Sequence, residues 1–288
     1  MSPASLDKST ITKCSINSIP LLQCPHYAHD YERGNRIIFL QCDRDLSKTE
    51  IRFEKDCCNN TLILGKNVTL NGSKIIFKGN NSNIYINESK RNYKLIIHIC
   101  SNSLLYIGKN CYFNDFNNSK AIFFVYEHQN IIIGDDCLFS YNVTLRNSDS
   151  HLIYDIDTSL RLNKSKSIVI GDHVWVGPNT FILKGTIVGS GAIIGANSVV
   201  SGKKIKSNTI WAGNPARQIR TNVLWRSKNS NNFTDFDSLE FARFNNDKGF
   251  GIFKQDEENT LLRSLDCITV ETLLKKNKNR FSLQVLNE

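Results

Sequence analysis

Residues 170–200 decide the fold, and they read IGDHVWVGPNTFILKGTIVGSGAIIGANSVV. An Ile or a Val recurs there at every sixth residue without a break, at Ile170, Val176, Ile182, Val188, Ile194 and Val200. Neither the 3.6-residue period of a helix nor the two-residue period of a strand gives this spacing. A parallel β-helix does, because each flat face of each coil points one apolar residue inward. We therefore predict an all-β protein built from hexapeptide repeats.

Small residues mark the corners between the predicted faces. They stand four places after the repeat residue, at Val174, Thr180, Thr186, Ala192 and Ser198. Glycines stand one place after it, at Gly171, Gly177, Gly189 and Gly195. Weaker hexads begin at Leu64, Ile107 and Ile133, so the coils should start well before residue 170.

The pattern divides the chain into three parts. We predict an N-terminal cap or arm over 1–60, a β-helix over 61–220 and a C-terminal extension over 221–288. The extension should be partly helical, because apolar residues recur with helical spacing at Leu261, Leu262, Leu265, Ile268 and Leu273. Within the β-helix, residues 146–169 break the register, which predicts a loop ejected from the coils.

Composition and charge limit the kinds of function that the chain can have. The chain has 288 residues and a net charge of +9, and its nine cysteines show no zinc-type pair of pairs. We expect reduced cysteines, and because neither a leader nor a membrane-spanning run is evident, a cytoplasmic protein without a membrane span. The positive charge calls for an anionic partner, but no nucleic-acid-binding motif accompanies it.

The ejected loop is the first place to look for chemistry, since it stands on a rigid scaffold. His151 lies in it beside Asp149 and Ser150. An imidazole that titrates near neutrality can act as a general base, so His151 is our candidate catalytic residue. The alternative is a loop histidine bonded to nearby backbone.

Trp175 ends the hexad that begins at Ile170, a position whose side chain should point outward. An exposed indole on a rigid face could form one wall of a binding site and donate a hydrogen bond. Packing against the ejected loop or a neighbouring subunit is the alternative. Four basic residues follow the last regular hexads and could hold phosphate groups, or form a solvated cap: Lys203, Lys204, Arg217 and Arg220.

Three segments together resemble a known family. They are residues 148–155 (SDSHLIYD) followed by Asn163, residues 170–177 (IGDHVWVG) and residues 212–217 (AGNPAR). The chain resembles the left-handed β-helix hexapeptide acetyltransferases, and within them the saccharide O-acetyltransferases, including those that acetylate capsular polysialic acid. The resemblance is good over 133–220, weaker from 62 and absent at both ends.

The resemblance implies a homotrimer of three-sided prisms, with acetyl-CoA bound in the groove between neighbours and no acyl-enzyme. His151 falls on the family's catalytic histidine and Trp175 on the tryptophan at the reaction centre. The CoA positions fall on or beside Trp175, Gly177, Ala196, Ser201, Lys203, Lys204 and Arg220. The segment 201–206 departs from the family pattern, which leaves open whether Lys203 or Lys204 meets the CoA phosphate.

We therefore expect an acetyl-CoA-dependent O-acetyltransferase acting on a hydroxyl of a bacterial capsular or surface glycan, with sialic-acid polymers as one candidate. One rival is an N-acetyltransferase acting on an amino sugar or nucleotide sugar. Another is a noncatalytic solenoid that binds a polyanion. We expect no metal, since a zinc site would need three placed imidazoles, and His151 and His173 lack an evident third.

Overall fold

A computed structural model describes residues 17–18, 33–40 and 46–244 of the chain, and only the backbone of the first pair. The chain winds into a parallel β-helix whose strands form three faces that are visited in a constant order, and the first coils lack a strand on one of them. The apolar stretch from Leu261 to Leu273, on which the predicted C-terminal helix depends, lies outside the described residues.

The strands form three sheets, which we call face 1, face 2 and face 3 in the order in which a coil visits them. Face 1 contains β1 (Asn17–Ser18), β2 (Arg36–Phe39), β4 (Thr61–Leu64), β6 (Asn83–Ile86), β8 (Leu104–Ile107), β11 (Ile131–Ile133), β14 (Ile168–Ile170), β17 (Ile187–Val188) and β20 (Lys204–Ile205). Face 2 contains β9 (Tyr112–Phe113), β12 (Leu138–Phe139), β15 (Trp175–Val176), β18 (Ile193–Ile194), β21 (Ile210–Ala212) and β22 (Arg217–Arg220). Face 3 contains β3 (Glu50–Phe53), β5 (Lys74–Phe77), β7 (Leu95–Ile99), β10 (Ala121–Val125), β13 (Thr144–Arg146), β16 (Phe181–Leu183) and β19 (Val199–Val200).

The hexad residues fill the inside of the coils, as the sequence predicts. All six from Ile170 to Val200 are at most 1% exposed. They stack in register: on face 2, for example, Val176 pairs with Phe139 below and Ile194 above. The small residues expected at the corners, Val174, Thr180, Thr186, Ala192 and Ser198, are likewise completely buried. The core is therefore one continuous apolar column along the axis.

The corners are turned by residues in the left-handed region of backbone conformation. In the five coils where a face 1 strand is followed by a face 2 strand, one residue of the connecting corner has a φ between 52° and 70°: Asn110, Asp136, His173, Gly191 and Asn208. Gly, Asn and Asp adopt this conformation most readily, because a bulkier side chain crowds the neighbouring carbonyl. A histidine in this column is the exception.

The predicted loop leaves the coils where the register breaks. The chain departs after Arg146 at the end of β13 and returns at Ile168 in β14, so residues 147–167 lie outside the corner between face 3 and face 1. The outer part of the loop is a hairpin, closed by backbone hydrogen bonds that join Asp155 to Leu160 and Leu162 to Ile153.

The described parts of the two terminal regions join the β-helix or follow it closely. β2 and β3, within the segment expected to be a cap or arm, pair in parallel with β4 and β5. In the C-terminal extension a short helix, α1 (Asp235–Glu240), begins with a capping box between Thr234 and Asp237. The domain boundaries at residues 60 and 220 stay predictions.

Asp135 is a carboxylate built into the corner between face 1 and face 2. Its Oδ1 accepts a hydrogen bond of 2.7 Å from the backbone N–H of Lys109, and its own N–H donates to Asp172 at 2.7 Å. Burial among these groups raises the pKa of Asp135 to about 7. The charged form of this side chain is therefore disfavoured in the folded protein.

Replacing Asp135 with Asn should make the fold less sensitive to pH. An unfolded Asp ionises near pH 3.9, so the wild-type stabilisation is fully present below that pH and is lost as the pH rises to about 7. Each unit of pKa difference corresponds to roughly 1.4 kcal/mol of unfolding free energy. Between pH 5 and pH 8 the melting temperature should fall less for D135N than for the wild type. An equal drop in both proteins would contradict this account.

Candidate active site

His151 stands exposed near the start of the ejected loop. Its backbone N–H donates to the carbonyl of Asp149 at 2.9 Å, after a left-handed turn at Ser150. The structure places the side chain on the outer side of the corner between face 3 and face 1, open to solvent. An imidazole in this position is available to exchange a proton with a bound molecule.

Asn163 holds the backbone on the C-terminal side of this imidazole. Its Nδ2 donates to the carbonyl of His151 at 2.6 Å, and its Oδ1 accepts from the N–H of Ile153 at 2.9 Å. The side chain of Asn163 is only 7% exposed, so these bonds are shielded from competing water. The loop that carries His151 is thus fixed in place, which favours reproducible positioning of the ring.

Charged side chains tie the start of the loop to the coils. Lys184, at the end of face 3 one coil above, pairs with the carboxylate of Asp149 and donates to the carbonyl of Asn163 at 3.2 Å. Partial burial works against ionisation of Asp149, but hydrogen bonds from Lys184 and Asn163 prevail and hold its pKa below the ordinary value. Arg146 donates from Nε to the carbonyl of Ser148 at 2.7 Å.

A second ion pair fastens the hairpin to the coil below. The guanidinium of Arg161 binds both carboxylate oxygens of Glu127, and the Nη2–Oε2 distance is 2.9 Å. Hydrogen bonds from Arg161 and then Ser165 lower the pKa of Glu127 to about 2. The pair therefore stays charged at any pH at which the protein is expected to work.

Trp175 points outward from face 2, as its place in the hexad predicts. Its side chain is 39% exposed and lies in the outward row between Leu138 below and Ile193 above. Its ring centroid is 5.9 Å from that of Trp225, at an interplanar angle of 46°. One part of the indole is thus packed and the remainder is free to meet a ligand.

Gly177 and Ala196 lie together just beyond Trp175, at the corner between face 2 and face 3. A Cβ atom on Gly177 would come within 2.6 Å of the backbone nitrogen of Ala196. A glycine is needed there because any side chain would push the two coils apart. Gly177 is buried and Ala196 exposed, so a ligand at this corner would meet Ala196 and backbone.

The basic candidates lie on two different faces. Lys204 begins β20 on face 1, and Lys203 and Ser201 precede it at the same corner as the ejected loop. The N–H of Gly202 donates to the carbonyl of Lys184 at 3.1 Å, which links this segment to the residue paired with Asp149. Arg217 and Arg220, by contrast, lie exposed on β22 of face 2.

The predicted site residues therefore form two groups. One gathers His151, Ser201, Lys203 and Lys204 at the corner between face 3 and face 1. The other gathers Trp175, Gly177, Ala196 and Arg220 on face 2 and its far corner. In a three-sided coil, face 2 lies opposite the corner of the first group, with the apolar core between them. The imidazole and the indole of one chain cannot reach a common small ligand.

Sequence patterns do not identify two residues of the site, Asn163 and Trp225. Asn163 has no local signal beyond its place in the family motif, because its partners depend on how the loop folds back. Trp225 follows the last repeat, and nothing in its neighbourhood predicts that it packs against Trp175. Both depend on contacts between residues distant in sequence.

Within the described ranges, no group of three or more His, Cys, Asp or Glu side chains has a metal-binding arrangement. No helix among those residues is both long enough and apolar enough to cross a bilayer.

Comparison with known proteins agrees with this architecture. Residues 167–202 match the family described as bacterial transferase hexapeptide (six repeats). Over 170 residues the chain is 35% identical to a polysialic acid O-acetyltransferase of Neisseria meningitidis, covering 59% of this chain and 77% of that one. Over 96 residues it is 49% identical to a polysialic acid O-acetyltransferase of Escherichia coli O1:K1 / APEC, covering 33% and 31% of the two chains.

Solved structures show the same relationship. The crystal structure of the polySia-specific acetyltransferase NeuO superposes with a TM-score of 0.58 at 32% identity, covering 68% of this chain and 89% of that one. The polysialic acid O-acetyltransferase OatWY superposes with a TM-score of 0.51 at 26% identity, covering 68% and 95%. The fold and its repeats thus define a left-handed β-helix transferase of the hexapeptide-repeat class. Within that class, the chain belongs to the O-acetyltransferase family that contains the polysialic acid O-acetyltransferases, and it is an acetyltransferase.

Removing the amide of Asn163 should slow acetyl transfer without unfolding the coils. In N163A the carbonyl of His151 and the N–H of Ile153 lose their shared partner, so the imidazole samples unproductive positions and turnover should fall roughly tenfold or more. Release of the CoA thiol gives the rate. N229A is a matched control, because Asn229 also binds backbone, accepting from Asn231 at 2.8 Å, in an exposed turn. Equal rates in N163A and N229A would show that turnover does not depend on the hydrogen bonds of Asn163.

Proposed function

We propose that this protein transfers an acetyl group from acetyl-CoA to a hydroxyl of an anionic capsular or surface glycan, with His151 as general base. The observation that carries the proposal is the exposed imidazole of His151 on a loop whose backbone is held directly after His151 by the buried amide of Asn163. The related enzymes named above act on polysialic acid, which suggests a sialic-acid polymer as the acceptor. Since acetyl-CoA is a cytoplasmic metabolite, we place the reaction in the cytoplasm.

The chemistry needs one proton acceptor and one place for the thioester. The unprotonated ring nitrogen of His151 takes the proton from the sugar hydroxyl as its oxygen attacks the thioester carbonyl. The carbon–oxygen bond of the ester forms, the carbon–sulfur bond breaks, and the protonated imidazole gives its proton to the departing sulfur. The products are the acetyl ester and free CoA, and the histidine returns to its starting state.

Exchanging His151 for Asn should lower turnover about 10²- to 10⁴-fold, the usual contribution of a general base. His128 offers a matched control, since it is an exposed corner histidine whose ring lies 3.0 Å from Asn102. His128→Asn should retain wild-type turnover. Rates follow from thiol release, and mild base applied to the product should remove the acetyl group if it is an ester. Wild-type turnover in His151→Asn would rule out the proposed base.

The division of the site between two sides of the coil supports an assembly in which neighbours complete each other's sites. The hairpin of the ejected loop presents several exposed apolar side chains, among them Ile156, which is 95% exposed, and Leu160. Contiguous apolar surface of this kind commonly meets a partner. We propose a homotrimer in which His151 of one copy faces Trp175 of the next, across a groove that holds acetyl-CoA.

Mixing two inactive variants tests this shared site. His151→Asn and Trp175→Ala should each be slow as pure proteins. In trimers assembled from equal amounts of both, about a quarter of the interfaces should combine an intact His151 with an intact Trp175, and activity should return to about that fraction. Differently tagged chains allow the mixed trimers to be isolated by two successive affinity steps, and in each of these one interface in three should be intact. Mixed trimers no faster than their parents would contradict the shared site.

The distribution of charge supports an anionic acceptor. Between residues 158 and 226 the chain carries ten Lys or Arg residues and one acidic residue, Asp172. The whole net charge of +9 therefore arises in this segment, which runs from the ejected loop to just beyond the last coil. The remainder of the chain is electrically balanced. A basic surface beside the candidate base raises the local concentration of a polyanion and is sensitive to salt. It could equally hold the phosphates of CoA.

A further inference from the structure

Trp225 lies far from the hexads in sequence but contacts one of their corners. After β22 the chain passes along the corner between face 1 and face 2, where the N–H of Val223 donates to the carbonyl of Asn208 at 2.9 Å. Trp225 then reaches His173, which occupies the same corner column as Asn208 but two coils lower. Residues 221–226 therefore form a strap across three coils, and we call them the strap.

The contact between Trp225 and His173 is made by both rings and both backbones. The rings are stacked with their centroids 4.0 Å apart at an interplanar angle of 6°. The indole N–H of Trp225 donates to the carbonyl of His173 at 2.8 Å, and Nε2 of His173 lies 3.1 Å from the carbonyl of Trp225. Since a carbonyl only accepts, that imidazole nitrogen carries the proton. Trp225 is only 6% exposed.

His173 occupies a corner position that Asn, Asp or Gly fills in the other coils. Its φ of 52° is close to those of Asn110 (52°) and Asn208 (55°) in the same column, and Asn adopts this conformation readily. A residue that breaks a local preference in an otherwise consistent repeat usually has a gain elsewhere. Here the gain is the stack with Trp225, which an Asn cannot make.

The strap ends beside the candidate reaction centre. Trp225 lies 5.9 Å from Trp175, centroid to centroid, on the side of the corner occupied by His173. Leu138 and Ile193 bound Trp175 below and above, so Trp225 closes a third side and leaves the outward part of the indole open. We propose that Trp225, held by His173, is a positioning residue that fixes the indole of Trp175 for acetyl transfer. This inference rests on the role proposed above for Trp175.

Three substitutions separate positioning from mere support of the fold. W225F keeps an aromatic ring but loses the bond to the carbonyl of His173. H173N removes the stack but places at this corner the residue type found in the same column at Asn110 and Asn208. The backbone turn should therefore not become strained. Both should reduce kcat roughly tenfold with little change in KM for acetyl-CoA, because the indole is displaced rather than removed. W211F is the matched control, since the indole of Trp211 instead bonds to Thr209 at 3.2 Å.

Circular dichroism reports the geometry of the indole pair independently of turnover. Two indoles at this distance give an exciton couplet, which should vanish in W225F and in W175F, weaken in H173N and persist in W211F. The inference is overturned if W225F and H173N turn over at the wild-type rate while W175A is slow, or if the couplet is unaffected by loss of either indole. If W175A itself is as fast as the wild type, the role assigned to Trp175 fails, and the couplet still reports whether the contact exists.

Discussion

The stacking of one inward apolar residue per face, coil upon coil, is the constraint on which the rest of the molecule depends. Because strand pairing between coils is parallel and in register, Val176 must lie over Phe139 and under Ile194. A slip by one residue would turn an outward side chain such as Trp175 into the core. The six-residue period therefore specifies the inside of the protein and, equally, every outward position.

This constraint also explains how the loop that carries His151 can be both inserted and rigid. The coils on either side of residues 147–167 pair as though the loop were absent, since Ile168 in β14 lies directly on Ile131 in β11. The cost of the insertion is mainly the ordering of the loop itself. The ion pair of Arg161 with Glu127 and the shielded bonds of Asn163 offset that cost. A mobile loop over the same corner would place the imidazole less reproducibly.

The sequence alone predicts the parts of the fold in which the information is periodic. The hexads after residue 170, the ejected loop and the outward direction of Trp175 follow from spacing, and the structure has them as expected. The partners of Asn163 and Trp225 do not follow, because each contact joins segments 10 to 52 residues apart that local patterns cannot pair. Likewise, Lys203 and Arg220 are only 17 residues apart, yet the chain crosses from face 1 to face 2 between β20 and β21 and so separates them.

The separation of imidazole and indole has a consequence for the assembly proposed here. A prism keeps its faces apart by the width of its core, so residues on opposite sides can serve one reaction only when another copy brings its own face against the loop. Under the shared site proposed here, the same apolar hairpin that drives assembly also completes the catalytic pair. In an isolated chain His151 and Trp175 would stay on opposite sides of the apolar core. The rigidity of the coil, rather than a moving lid, would then couple assembly to chemistry.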